Sequence, residues 1–367
     1  MSRFIFELST PEDGKELLDI LEEAAFKGSI SLLYTRRPDA YCSLKHEGKH
    51  VDIVVCRDME KGKIVGFGVC VLRKLFVNGK ATTVGYLFGL RVRQEYSKKY
   101  PLLHRGFEFL HLLHQKQKVP LYLSTILEDN ILAQKLFEKR RGIIMPTYRP
   151  FGSYEVYAMN VPRRSCSVNK HFRKACDDDV PSLIRFLCEQ GKTFQFFPIL
   201  TKQDLAEGGI SGITIDEFYL LPNENNEILA AGALWDQWEY KQYLVQGYGG
   251  ILKVLYPFSR FFPFFGFPAL PKSGSLLKFF TLSFWAVKEN DPQLFTLFLD
   301  NVCTVSRGDY PFFLIGVHER HPLRQVLQKR PHISYKSKLY GVYWDEQQKA
   351  VNSLDKTRLP YLECGML

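Results

Sequence analysis

No two cysteines in the 367-residue chain have CxxC spacing and no cysteine–histidine pair has CxxH spacing, so the marks of structural zinc and dithiol redox sites are missing. The eight cysteines (42, 56, 70, 166, 176, 188, 303 and 364) fall partly inside apolar runs such as Val54-Val55-Cys56 and Val69-Cys70-Val71. That placement points to buried, reduced thiols rather than disulfides. No uninterrupted apolar run reaches the roughly 20 residues that a membrane-spanning helix needs. The opening MSRFIFELST has neither an apolar signal core nor a small-residue cleavage site. A cytoplasmic protein is expected.

What is present describes a folded chain. Hydrophobic residues make up 46% and charged residues 24%, a balance that leaves no long disordered region. At this length a single core is too little, and two domains are expected. The net charge of +10 suits an anionic ligand, nucleic acid or an acidic membrane surface, and a solvated basic surface explains it equally well. Lys139-Arg140-Arg141 and Arg163-Arg164 lack interleaved aromatics, so nucleic acid is the weakest of these readings.

The first half alternates strands and helices. Phe4–Leu8 reads as a strand, and Ser9-Thr10-Pro11-Glu12 as a capped helix start with Leu17, Leu18 and Leu21 on its apolar face. Ser29–Lys49 reads as irregular and partly helical. Val51–Arg57 and Lys63–Leu75 read as strands, and Asn78-Gly79 as a hairpin turn. The stretch around which the rest is organised follows: Val84–Val92 as a buried strand, the basic elbow Arg93–Tyr100, and Pro101 opening a helix with Leu102, Leu103, Phe107, Leu110 and Leu113 in a stripe. A strand feeding a helix through a basic turn offers backbone N–H groups and a positive dipole end to an anion. Leu121–Ile126 (strand), Asn130–Arg140 (helix) and Tyr154–Val161 (strand) complete the half.

The second half repeats this plan. Phe6 to Leu21 aligns without gaps on Phe172 to Leu187, matching the phenylalanine, Asp13 with Asp179, and the apolar face. Near the ends, Lys139-Arg140 followed by Tyr154-Glu-Val156-Tyr157 is echoed by Lys329-Arg330 followed by Tyr340-Gly-Val342-Tyr343. Matches at both ends in one order argue for duplication. The expected division is residues 1–162, a linker, 171–347 and a tail 348–367 that docks, if at all, through Leu359–Tyr361. Each half is expected to be α/β or α+β, a mixed twisted sheet flanked by helices. Ile251–Leu270 stands out of pattern: phenylalanine-rich, but broken by Pro257, Pro263 and Pro268. Packing between the halves is the favoured reading, with a substrate wall or a membrane-surface contact as alternatives.

With these elements in order, the sequence resembles the GNAT superfamily of acyl-CoA N-acyltransferases in a tandem arrangement with a degenerate second half. The resemblance rests on Gly66-Phe-Gly68-Val, on Gly89 to Tyr96 (GLRVRQEY), and on Asn130 to Arg140 (NILAQKLFEKR). It implies that acetyl-CoA or another acyl-CoA serves as co-substrate for transfer to an unknown amine. The pantetheine would lie along the backbone of Leu90 and Val92, the pyrophosphate would meet Ser97, Lys98, Lys99, Tyr100 and Leu102, and Asn130 would contact the cofactor or cap its helix. The chain departs from the pattern in three places. The loop glycines are gone, Val84–Val92 has no carboxylate to act as base, and Phe137 stands where the family places a proton-donating tyrosine. The second half has Lys288-Glu-Asn-Asp-Pro292 at the phosphate loop, where acids oppose CoA. The alternative is therefore a catalytically silent protein that binds a ligand or partner on the same scaffold.

His104, Glu108 and His111 share a helix face but read as solvated rather than metal-binding, and His318-Glu-Arg-His321 as a helix start. Tyr148, Arg149 and Tyr154 fall where the family's substrate cleft closes, and ordinary sheet packing explains them as well.

Overall fold

Twelve strands of the computed structural model join into one sheet; the structure describes residues 2–23, 30–97, 102–139, 145–162, 168–206, 212–265 and 270–367. The elements of the first half are β1 (Phe4–Leu8), α1 (Gly14–Glu22), β2 (Ile30–Thr35), α2 (Ala40–Lys45), β3 (His50–Asp58), β4 (Lys63–Val77), β5 (Lys80–Val92), α3 (Leu102–His114), β6 (Tyr122–Leu127), α4 (Ile131–Glu138) and β7 (Thr147–Asn160). The second half has β8 (Arg173–Lys174), α5 (Val180–Gly191), α6 (Lys202–Leu205), β9 (Phe218–Pro222), β10 (Ile228–Trp235), β11 (Gln242–Tyr248) and α7 (Gly250–Leu255). It continues with β12 (Phe279–Val287), α8 (Pro292–Val305), β13 (Phe312–His318), α9 (Arg324–Gln328), β14 (His332–Tyr343) and α10 (Gln348–Asn352).

The sheet order is β1-β3-β4-β5-β6-β14-β7-β13-β12-β10-β9-β8. Neighbours are antiparallel except β5 with β6 and β12 with β13. Read from either edge, five strands of one half come first, and the sixth is the terminal strand of the other half. Thus β14 lies on β6 and β7 lies on β13, while β7 and β14 pair with each other from His332↔Met159 to Tyr343↔Thr147. Strand alternation sends successive side chains to opposite faces. Val55 accordingly packs with Leu17, Ile20 and Leu44 beneath α1 and α2, whereas Val54 packs with Phe107, Leu110 and Phe137 beneath α3 and α4. The mixed sheet flanked by helices agrees with the fold expected from the sequence.

The two halves share a local arrangement at their helix starts. Asp13 Oδ2 accepts from Thr10 N (2.9 Å) and Asp179 Oδ2 from Cys176 N (3.0 Å), one residue before α1 and α5 respectively. Each carboxylate also holds an arginine, Arg57 at 2.9 Å and Arg173 at 2.6 Å. A carboxylate there satisfies orphan N–H groups and complements the positive helix end.

Two expectations are corrected. Ser29–Lys49, expected to be irregular and partly helical, does hold the helix α2, but it also contains β2, which pairs with β11 from Ile30↔Tyr248 to Thr35↔Gln242. A partner two hundred residues away carries no local signal. The described part of Ile251–Leu270 does not pack between the halves, because α7 and Phe258 face solvent. What fills the inside instead is the segment after α10: Tyr361, Leu362 and Met366 are buried, Tyr361 N donates to Gln195 O (2.7 Å) and Tyr154 OH donates to Leu362 O (2.8 Å).

Because each half borrows its sixth strand from the other, chemical denaturation is expected to give one cooperative transition. Leu339, fully buried in β14, packs in one cluster with Leu121, Leu123, Val156 and Leu362. Leu339→Ala should shift that whole transition by about 2–5 kcal/mol; two separate transitions, with only one moved, would contradict this.

Candidate functional site

β5 and β6 hydrogen-bond through Gly85↔Tyr122, Tyr86↔Leu123 and Leu87↔Ser124 and then part, although β5 runs on to Val92 and β6 to Leu127. Two features drive them apart. On one side, β5 bulges: Val69 pairs with Phe88 but Phe67 with Arg91, so β5 has one residue more than β4 over that span. Gly89 in the bulge has φ +66°, the left-handed region where a side chain is costly. On the other side, β6 is held by β14 as far as Ser337↔Leu127. The apex of the opening is pinned by Ser124 Oγ donating to Leu87 O (3.0 Å) and by the Tyr86–Thr125 hydroxyl pair (2.8 Å). Beyond it, no strand among the described residues pairs with Phe88–Val92 on the side of β6. A narrow amide chain fits such an edge as an added strand does.

Of the residues expected to bind cofactor, Leu90 and Val92 lie on β5 beyond its last pair with β6. Leu90 is exposed and Val92 half-buried on the unpaired edge. Ser97 is exposed at the end of the following turn, its Oγ donating to Gln94 O (3.1 Å). Lys98, Lys99 and Tyr100 lie outside the described residues. Leu102 turns inward, packing with Phe4, Cys56, Val65 and Tyr96, so only its backbone faces the turn side of α3. Asn130 takes the capping role, accepting from Ala133 N (3.1 Å) at the start of α4. Phe137 is buried, stacked on Tyr148 at 4.6 Å between ring centres. Tyr148 in turn bonds Ser124 at the apex, and burial raises its pKa above the ordinary phenol value. Its neighbour Arg149 bonds Asn352 (3.0 Å), and Tyr154 is buried in the sheet.

The second half has the same bulge and fills it. Ala231 pairs with Ala286 but Ala233 with Ser283, and Phe284 in the bulge has φ +48°. β12 meets β13 through only Phe279↔Phe312 to Thr281↔Leu314. Here the edge is occupied: Glu363 Oε2 accepts from Phe284 N (2.6 Å), and Gly365 lies so close to Trp235 and Ser283 that a Cβ would meet them at 2.5 and 2.6 Å. The chain itself takes the place that is open in the first half.

On the face of β5 opposite α3, sequence reasoning missed a buried charge cluster. Glu47 receives Arg36, Arg73 (3.3 Å) and Lys241 (3.7 Å), and all four side chains are largely or fully buried. Arg36 Nε also donates to Tyr34 OH (2.6 Å), and Lys241 to the Leu367 carbonyl oxygen. Burial alone would raise the Glu47 pKa, but Lys241, Arg36 and Arg73 outweigh it and hold it at about 2. Burial lowers Lys241 to about 8, with Glu47 opposing. These residues come from four separated segments, and the one sequence signal was Arg73 inside the apolar run of β4. Around them stand Tyr34, Tyr86 and Tyr243, with Tyr34 and Tyr243 at 5.3 Å and Tyr243 and Phe279 at 5.9 Å between ring centres. A cavity of about 20 Å³, room for one water, is lined by Arg73, Tyr86, Leu123, Phe196, Glu363 and Met366. Arg73 Nε has no protein partner among the described residues. Burial raises the Glu363 pKa, although Phe284 N, Gly365 N and Tyr361 OH all donate to it.

A bulged strand parting from its parallel neighbour, with helices on both faces of a mixed sheet, is the fold of GNAT-like acyl-CoA N-acyltransferases, and this chain has it. It is similar to Saccharomyces cerevisiae N-myristoyltransferase with bound myristoyl-CoA, with TM-score 0.60 and 12% identity over 94% of this chain and 83% of that one. It is also similar to a GCN5-related N-acetyltransferase from Anabaena variabilis, with TM-score 0.51 and 12% identity over 92% of this chain and 72% of that one. At these identities the likeness is one of fold. No protein-family model matches the sequence, and no match is found among curated proteins.

Glu47→Gln leaves three buried cations without a counter-charge and should cost about 3–5 kcal/mol in a denaturation experiment at neutral pH. Because its pKa is lowered from 4.5 to about 2, Glu47 contributes stability above the ordinary carboxylate range that is lost as pH falls toward 2. The wild type should therefore lose stability over that window more steeply than the variant; parallel acid profiles would contradict the assignment.

Proposed function

We propose that the chain is an acyl-CoA-dependent N-acyltransferase that uses the opening between β5 and β6. The observation that carries this reading is the parting of the two strands after Leu87↔Ser124 at a positive-φ glycine, so that no strand among the described residues pairs with Phe88–Val92 on the side of β6. The pantetheine amides lie along Leu90 and Val92, and the pyrophosphate meets Ser97, Lys98, Lys99, Tyr100 and the start of α3 at Leu102. The positive helix end supplies there what the missing loop glycines do not. Asn130 fixes the start of α4 beside the opening. Two copies of one unit, 1–162 and 171–347, account for the order of the sheet, and acyl-CoA enters only the first.

The acceptor amine approaches from the opposite face, on the side of the tyrosines and buried charges. Its nitrogen attacks the thioester carbonyl, the C–N bond forms, the C–S bond breaks, and the thiolate leaves to take up a proton. β5 has no carboxylate to accept the ammonium proton. Glu363, with its raised pKa and a water-sized cavity between it and Tyr86, is the carboxylate we assign to that task. The two neighbours bear the names of a myristoyl and an acetyl enzyme, so the acyl chain is to be found by a series running from acetyl-CoA to myristoyl-CoA.

A second reading has its own observation. With Phe137 stacked in the core and no acid on β5, the same opening serves a silent protein that binds acyl-CoA or a partner without transfer. Calorimetry with the acyl-CoA series, followed by thiol release with an amine panel, separates the two. Binding with release is expected; binding without release establishes the silent protein, and no binding at high micromolar concentration ends both acyl-CoA readings. Gly89→Val forces a β-branched residue into the left-handed region, at roughly 1–2 kcal/mol, and should weaken acyl-CoA binding several-fold. Glu363→Gln should leave acyl-CoA binding intact and remove most of the amine-dependent release. Unchanged release would exclude Glu363 as the proton acceptor.

A further inference from the structure

α7 runs into residues 256–265, and its outward side chains are large and apolar: Ile251 is 77% exposed, Val254 70%, Phe258 59% and Leu255 38%. Exposed Leu276 belongs to the same surface, because residues 271–277 run back along β11. Tyr248 OH donates to Pro271 O (2.6 Å), Ser273 Oγ to Gln246 O (2.6 Å) and Leu277 N to Tyr243 O (2.9 Å). Single exposed apolar residues are ordinary, but a contiguous group calls for a partner.

The charge around the group narrows the choice of partner. From residue 240 to residue 288 there is no Asp or Glu, whereas Lys241, Lys253, Arg260, Lys272, Lys278 and Lys288 all fall in that span. Lys253 within α7 and Lys272 and Lys278 on the returning segment are exposed, Lys278 over the Tyr310 ring at 5.3 Å. A second copy of this face would bring like charges together. A layer of anionic lipid headgroups over acyl chains meets both demands, taking the cations at its surface and the apolar side chains just beneath. No helix among the described residues is long and apolar enough to cross a membrane, so the contact is peripheral.

We propose that α7, Phe258 and the Lys272–Lys278 segment form a docking surface for anionic phospholipid bilayers. The surface adjoins the aromatic cluster, since Tyr243 lies on the strand that leads into α7 and packs near Tyr34 and Phe279. The inference does not depend on acyl transfer and is read without it.

The full-length protein is sedimented with phosphatidylcholine vesicles, with and without about one-third phosphatidylglycerol, at low and high salt. Binding is expected only to the anionic vesicles, and it should weaken with salt. Ile251→Ser/Val254→Ser/Phe258→Ser and, separately, Lys253→Glu/Lys272→Glu/Lys278→Glu should each reduce partitioning about tenfold or more. The altered side chains are exposed, so both variants should keep the wild-type circular dichroism and melting temperature. Any of three results would overturn the proposal: no vesicle binding, binding that both folded variants retain, or a wild-type dimer that the serine variant dissociates.

Discussion

The pairing of β7 with β14 is the constraint on which the rest of the structure depends. Each is the last strand of its half, and each lies against the fifth strand of the other half as well as against its counterpart. Neither half can complete its sheet alone. The cores on both faces are tied to the same pair, since Tyr340 and Val342 of β14 pack beneath α3 and α4 while Leu339 packs with Val156 of β7 on the other side. Long-range pairing of this kind forms only once most of the chain is in place, because loop closure must precede the contacts that reward it.

The opening in the first half follows from that pairing. Beyond Ser124, β6 stays in the sheet through its other edge, which β14 holds as far as Leu127, while it leaves β5. The bulge at Gly89 turns β5 the other way. In the second half β7 does for β13 what β14 does for β6, and the bulge recurs at Phe284. The difference is the occupant. Residues 361–366 satisfy the freed edge there through Glu363, whereas in the first half no strand among the described residues takes that place. One geometry is thus filled by the chain itself in one half and not in the other.

Much of this was legible in the sequence where signals are local. The repeated aspartates at 13 and 179, the Asn78-Gly79 turn, the strand at Val84–Val92 and the cap at Asn130 each depend on a few neighbouring residues, and each stands where the pattern put it. The loss of a carboxylate and of a phenol at the family's positions could also be read directly. Pairings between distant segments could not. β2 finds β11 across the chain, and Arg36, Glu47, Arg73 and Lys241 meet only after folding, with no spacing that foretells it. Ile251–Leu270 misled because apolar composition suggests burial, while α7 within it has its apolar side outward.

The central claim is that an acyl-CoA occupies the free edge of β5 and the turn before α3. Amide hydrogen exchange with and without bound acyl-CoA tests it residue by residue. The account predicts added protection at Phe88–Val92 and through the turn to Leu102, with the equivalent second-half edge at Phe284 unchanged, because Glu363 already holds that amide. Protection at Phe284 with none at Phe88–Val92 would contradict it.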